Sequence, residues 1–80
     1  MASAAEDLVS VVRLLVDDPK AVSVEGVEVE DELELRLRVA PDDRGKVIGR
    51  RGRTIDALRS LADVRGERDG RLYAVELAEE

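Results

Sequence analysis

The hydrophobic pattern predicts an α+β fold in the order helix, strand, strand, helix, helix, strand, with helices on one face of a three-stranded mixed sheet. Three observations carry this. Leu8, Val11, Val12 and Leu15 recur at helical spacing. Leu33, Leu35, Leu37 and Val39 alternate strictly with Glu34, Arg36 and Arg38, the mark of a strand with one buried and one wet face. Gly49 and Gly52 then stand three apart inside a second helical stretch, breaking it into a pair.

The elements follow in order. Ser3 and Glu6 have the spacing of a capping box, so a first helix is expected from about Ala4 to Val16, ended by Asp17-Asp18-Pro19 because proline disfavours helical geometry at the residue before it. Val22 and Val24, then Val27 and Val29, make a first strand. Its apolar parity flips across Gly26, which predicts a bulge there. The turn at Asp31 leads into the alternating strand. Pro41 suits a helix's first turn, with Asp42 and Asp43 at its positive end, and Gly49 caps that short helix. The next helix starts near Gly52 with Ile55, Leu58, Leu61 and Ala62 on one face, and Gly66 and Asp69-Gly70 bracket a loop. A last strand runs Leu72 to Ala78, with Tyr73, Val75 and Leu77 on one side. Adjacent strands joined by a tight turn are antiparallel, and the helical pair can cross over to a parallel neighbour.

Composition limits the function classes. Eighty residues suit one domain, 1–80, with neither cysteine nor histidine to supply disulfides, the usual zinc ligands or a Cys–His pair. No metal, cofactor or catalytic residue is expected. The run Glu28, Glu30, Asp31, Glu32, Glu34 reads as a solvated face, since a general acid or base needs a pocket that shifts its pKa. The N-terminus lacks a basic segment followed by an apolar run, and no stretch approaches the ~20 apolar residues that span a bilayer. A cytoplasmic protein without a membrane partner is the expectation.

Net charge is −6, which at first opposes a nucleic-acid partner. Yet Arg44 to Arg59 holds six basic residues (Arg44, Lys46, Arg50, Arg51, Arg53, Arg59) against Asp56, a local +5 that leaves −11 elsewhere. Screening confines exposed charges to roughly 8–10 Å at physiological salt, so the patch can act locally. Within it, the two glycines permit a tight turn and close approach of another backbone, the following helix presents its N-terminal N–H groups, and two arginines fill the middle. An oligonucleotide phosphate meets all three features. An ordinary helix–turn–helix with glycine caps and solvated arginines fits the same spacing, and the residues leave both open. A Walker loop does not fit, because Val47 follows Gly45-Lys46 and no glycine stands five residues earlier. A dinucleotide fingerprint fails on the spacing Gly45, Gly49, Gly52.

Val-Ile-Gly-x-x-Gly-x-x-Ile, Val47 to Ile55, resembles the signature of KH domains, whose GXXG loop clamps about four nucleotides of backbone. The element order resembles the type II arrangement. The helix ending in Val-Asp-Asp-Pro, with the run from Leu37 to Ile55, is similar to the small bacterial single-KH proteins of the KhpA type, over a core of about 8–77. The resemblance implies single-stranded RNA binding, a post-transcriptional regulator or RNA chaperone linked to cell elongation and division, and a homodimer or a heterodimer with a larger multidomain KH protein. It places Gly49 and Gly52 at the backbone approach and Arg50 and Arg51 on the phosphates. Lys46 and Arg53 lie within reach of phosphate or sugar, and Ile48 and Ile55 in the groove floor, for which plain core packing is an equal reading. The alternative function is a protein–protein adaptor on a KH fold. If Gly52 has φ below zero, Gly52→Ala should spare the fold and cost only RNA affinity.

Overall fold

A computed structural model describes residues 3–79, so Met1, Ala2 and Glu80, the ends of the expected 1–80 domain, lie outside the described residues. Helix α1 spans Ala4–Arg13. The Ser3 Oγ accepts the Glu6 N–H at 3.1 Å and Glu6 Oε1 accepts the Ser3 N–H at 3.2 Å, the capping box that the spacing predicts. The helix stops short of Val16. Leu14 and Leu15 donate their N–H groups three residues back, to Val11 and Val12 at 3.1 and 2.9 Å, which tightens the chain into a 3₁₀ turn. Beyond it the path is set from a distance: the Asp17 and Asp18 N–H groups donate to the Asp43 carboxylate at 3.1 and 3.0 Å. Asp43 is 2% exposed. The Asp17 N–H above all holds its carboxyl below the usual range; burial opposes this, while the Asp18 N–H and the Lys46 charge add to it.

Strand β1, Ser23–Val29, runs antiparallel to β2, Glu32–Arg38, and β3, Leu72–Leu77, lies parallel to β2 on its other side. Leu33, Leu35 and Leu37 pair with Tyr73, Val75 and Leu77 on the inner face. No bulge interrupts β1. Its register to β2 is one-to-one from Ser23↔Arg38 to Val29↔Glu32. The parity flip at Gly26 is instead a change of face: Val27 and Val29 lie opposite Glu34 and Glu32 on the outer side, and the Leu33 side chain covers the place a Gly26 side chain would take, 3.4 Å from an added Cβ.

After β2, Pro41–Asp43 forms a 3₁₀ turn and Arg44–Ile48 forms α2, so the helix expected from Pro41 splits in two. Helix α3, Arg53–Asp69, packs on β3, while α1 packs on β1, and both lie over the same face. Leu35, Leu37, Val12 and Val47, each at most 1% exposed, centre the core between them. Two expectations for α3 fail. Leu61 is 57% exposed and faces away from the core. Gly66 is buried inside the helix rather than in a loop, and Gly70, at φ 68, provides the left-handed cap. A Cβ on Gly66 would lie 2.4 Å from the Arg71 carbonyl oxygen, so glycine there lets α3 and the approach to β3 touch.

Candidate nucleic-acid interface

Helices α2 and α3 meet at residues 49–52, where the chain reverses in four residues. Gly49 ends α2 at φ 76, ψ 172, a conformation open to glycine alone, with its N–H donating to the Gly45 carbonyl at 2.8 Å. A Cβ there would fall 2.2 Å from Thr54 Oγ1 and 2.9 Å from the Thr54 N, so the first turn of α3 sits directly on Gly49. Arg51 is left-handed at φ 57, ψ 28, and Gly52 at φ 73, ψ 13; the Gly52 N–H donates to the Gly49 carbonyl at 3.1 Å. The positive φ at Gly52 removes the condition under which alanine would spare the fold. A left-handed alanine costs about 1–2 kcal/mol, so Gly52→Ala perturbs stability and loop together.

The loop's charges differ from those around it. Several cations elsewhere are paired: Arg36 with Glu34 at 3.2 Å, Arg71 with Glu28 at 2.6 Å, and Arg65 with Asp69 at 2.8 Å and with Asp7. Arg50, Arg51 and Arg53 are exposed and form no ion pair among the described residues. Among the described residues no side chain caps α3, so its first turn, which starts at Arg53, adds the positive end of a helix to these guanidinium groups. Three cations over an uncapped helix start, on a backbone with little side-chain bulk, form a surface suited to an extended polyanion.

The remaining site residues are distributed less simply. Lys46 turns back from the loop, with its ammonium on Asp17 and 3.7 Å from Asp43. Asp17 chiefly raises its pKa against the opposing effect of burial, with Asp43 adding to the rise. Ile55 is 7% exposed and belongs to the core, whereas Ile48 is 39% exposed beside Gly49. Three residues absent from the expected set lie on the loop or on the helices that flank it. Thr54 lies against Gly49, while Arg44 reaches from α2 to the Ala78 carbonyl just beyond β3 and Arg59 from α3 to the Val75 carbonyl within it. Their only signal in the sequence is membership of the basic window.

A family model described as the KhpA/KhpB KH domain matches residues 5–77. The chain belongs to this family. RNA-binding protein KhpA of Streptomyces coelicolor is 42% identical over 72 residues, 90% of this chain and 91% of the relative. The proteins of the same name from Chlamydia trachomatis and Caldanaerobacter subterraneus are 39% and 35% identical over 75 and 68 residues, covering 94% and 85% of this chain and 96% and 91% of theirs. The KhpA/KhpB family match takes in every element from α1 to β3, and the three-stranded mixed sheet with helices on one face is the KH fold. Among the described residues, no helix is long and apolar enough to cross a membrane.

Proposed function

We propose that the chain binds single-stranded RNA by gripping its backbone with Gly49-Arg50-Arg51-Gly52. The observation that carries this is the loop itself: two glycines in left-handed geometry flank two exposed arginines that, among the described residues, form no ion pair, at a start of α3 that no described side chain caps. The relatives' designation as RNA-binding proteins supports the same ligand. In this reading Gly49 and Gly52 admit the nucleic-acid backbone, and Arg50, Arg51 and Arg53 meet its phosphates. Ile48 lines the groove with Ile55 beneath it, and Lys46 joins only on leaving Asp17. The role is binding without catalysis: a cytoplasmic post-transcriptional regulator or RNA chaperone linked to cell elongation and division, as family likeness suggests.

A single module touching about four nucleotides should bind at roughly micromolar Kd. With two to three phosphates neutralised, the log–log salt slope for single strands should be roughly −1.5 to −2. Fluorescence anisotropy with a short RNA across a salt series reads both, and a slope near zero at measurable affinity defeats the electrostatic grip.

Pairing with a second copy of the chain, or with a larger multidomain KH protein, belongs to the same proposal, and one surface supports it. Between α1 and α3 lies an apolar groove of about 280 Å³. Leu61 and Val64 on its rim are 57% and 64% exposed, and Val11 is 36% exposed. Asp7, beside Arg65 and Arg68, gives that rim both charge signs, so a two-fold copy can meet opposite charge while covering the leucine and valines. Sedimentation equilibrium at tens of micromolar should return a dimer that Leu61→Asp dissociates; a monomer at every concentration removes self-pairing.

A further inference from the structure

We propose, resting on the RNA-binding reading of the loop and deepening it, that Asp17 sets the affinity of the site. Its carboxylate occupies the Lys46 ammonium in place of a phosphate, so a bound strand must displace it. Lys46 precedes the loop on α2 as Arg53 follows it on α3. It stands three residues before Gly49, about 4.5 Å along the helix axis, close to wherever the loop holds a backbone. Of Lys46, Arg50, Arg51 and Arg53, Lys46 alone forms an ion pair among the described residues. Its chief partner, Asp17, comes from the corner after α1, 29 residues away in sequence.

That corner is fixed in place. The Asp17 and Asp18 N–H groups donate to the two carboxylate oxygens of Asp43 at 3.1 and 3.0 Å, and Asp43 is 2% exposed at the residue before α2. Asp43 thus fastens the exit of α1 to the start of α2, and the Asp17 carboxylate is carried to Lys46 on held backbone. The same two bonds occupy Asp43. Lys46 stays 3.7 Å from its Oδ1, beyond a hydrogen bond, which leaves Asp17 as the stronger competitor. The pair is nevertheless exchangeable. The Asp17 side chain is 81% exposed and that of Lys46 44%, so water and salt reach both, and exposed pairs hold weakly. A phosphodiester offers the ammonium an anionic oxygen as a carboxylate does, and a lysine point charge demands no planar geometry of its partner. A strand already gripped at Gly49–Gly52 presents its phosphates at high local concentration and replaces Asp17. A polyanion that the loop does not hold meets a lysine already neutralised.

Asp17→Asn tests this, because it keeps the size of the side chain and the N–H on Asp43 while removing the charge. Measured by fluorescence anisotropy with a short single-stranded RNA at low salt, it should bind roughly two- to fivefold tighter than the parent. Its log–log salt slope should steepen by up to about 0.7, since one more phosphate is neutralised without a carboxylate being set free. The gain must run through Lys46: Asp17→Asn combined with Lys46→Gln should bind like Lys46→Gln alone. Simple relief of repulsion, by contrast, gives the same gain with or without Lys46, and that result overturns the proposal. So does a folded Asp17→Asn protein with the parent's affinity and slope, which leaves the loop grip standing. Circular dichroism establishes folding, and Asp17→Ser, which also keeps the N–H and removes the charge, provides the same reading if asparagine disturbs the corner. A parent that binds no RNA overturns the loop reading and the role of Asp17 with it.

Discussion

Reversing Arg50 and Arg51 together to aspartate is expected to abolish RNA binding in a protein that still folds. The swing is four charges at the point where the strand is held. Two charge-assisted contacts at about 1.5–3 kcal/mol each amount to a loss on the order of a hundredfold or more, before any repulsion. Micromolar binding would become unmeasurable. The fold should tolerate the change because both residues are exposed and pair with no acidic side chain among the described residues. Arg51, at φ 57, also sits where aspartate is one of the better-accommodated side chains. Anisotropy titration beside far-ultraviolet circular dichroism checks both halves. Unchanged affinity in the folded double variant would turn the assignment towards the adaptor.

The second large effect concerns stability at a distance from the loop. Gly66→Ala should lower stability by about 3 kcal/mol, although alanine is ordinarily better than glycine in a helix by up to ~1 kcal/mol. The reversal of sign comes from one atom, the Arg71 carbonyl oxygen 2.4 Å from the added Cβ. That oxygen belongs to backbone pinned from both sides, by the Arg71 N–H on the Gly66 carbonyl at 3.0 Å and by β3 starting at Leu72. Relief requires α3 to lift from the sheet, which loosens Ala62 and Leu58 in the core. For a domain this small, each kcal/mol moves the melting midpoint by about 4–8 °C, so a fall of roughly 12–24 °C is expected. Gly45→Ala is the control, since nothing lies within 4 Å of its added Cβ, and its midpoint should hold or rise. A Gly66→Ala midpoint equal to the parent's would mean that α3 and the β3 approach are not in contact in solution.

What the sequence determined by itself was whatever repeats locally. The alternation Leu33 to Leu37 defines β2 because a strand's side chains switch faces at every residue, whatever the partner strands do. Ser3 and Glu6 mark the start of α1 because a capping box closes within one turn. The Val47–Ile55 motif marks the loop because only glycine takes the backbone angles found at Gly49.

The tertiary structure decided the features whose cause lies far along the chain. Helix α1 gives way after Arg13 to a path held by Asp43, a carboxylate 26 residues from Asp17, so no local periodicity could place that end. Gly26 reads as a bulge until Leu33 on the next strand is seen covering its space. Gly66 reads as a breaker because its need for smallness comes from a carbonyl beyond the helix end. Leu61 has helical spacing yet is left 57% exposed on the rim of the groove between α1 and α3. Arg44 and Arg59 look like any other arginines of the basic window until the fold brings them to the carbonyls of Ala78 and Val75, 34 and 16 residues away in sequence. Spacing shows which residues share a face, and packing alone settles what that face meets.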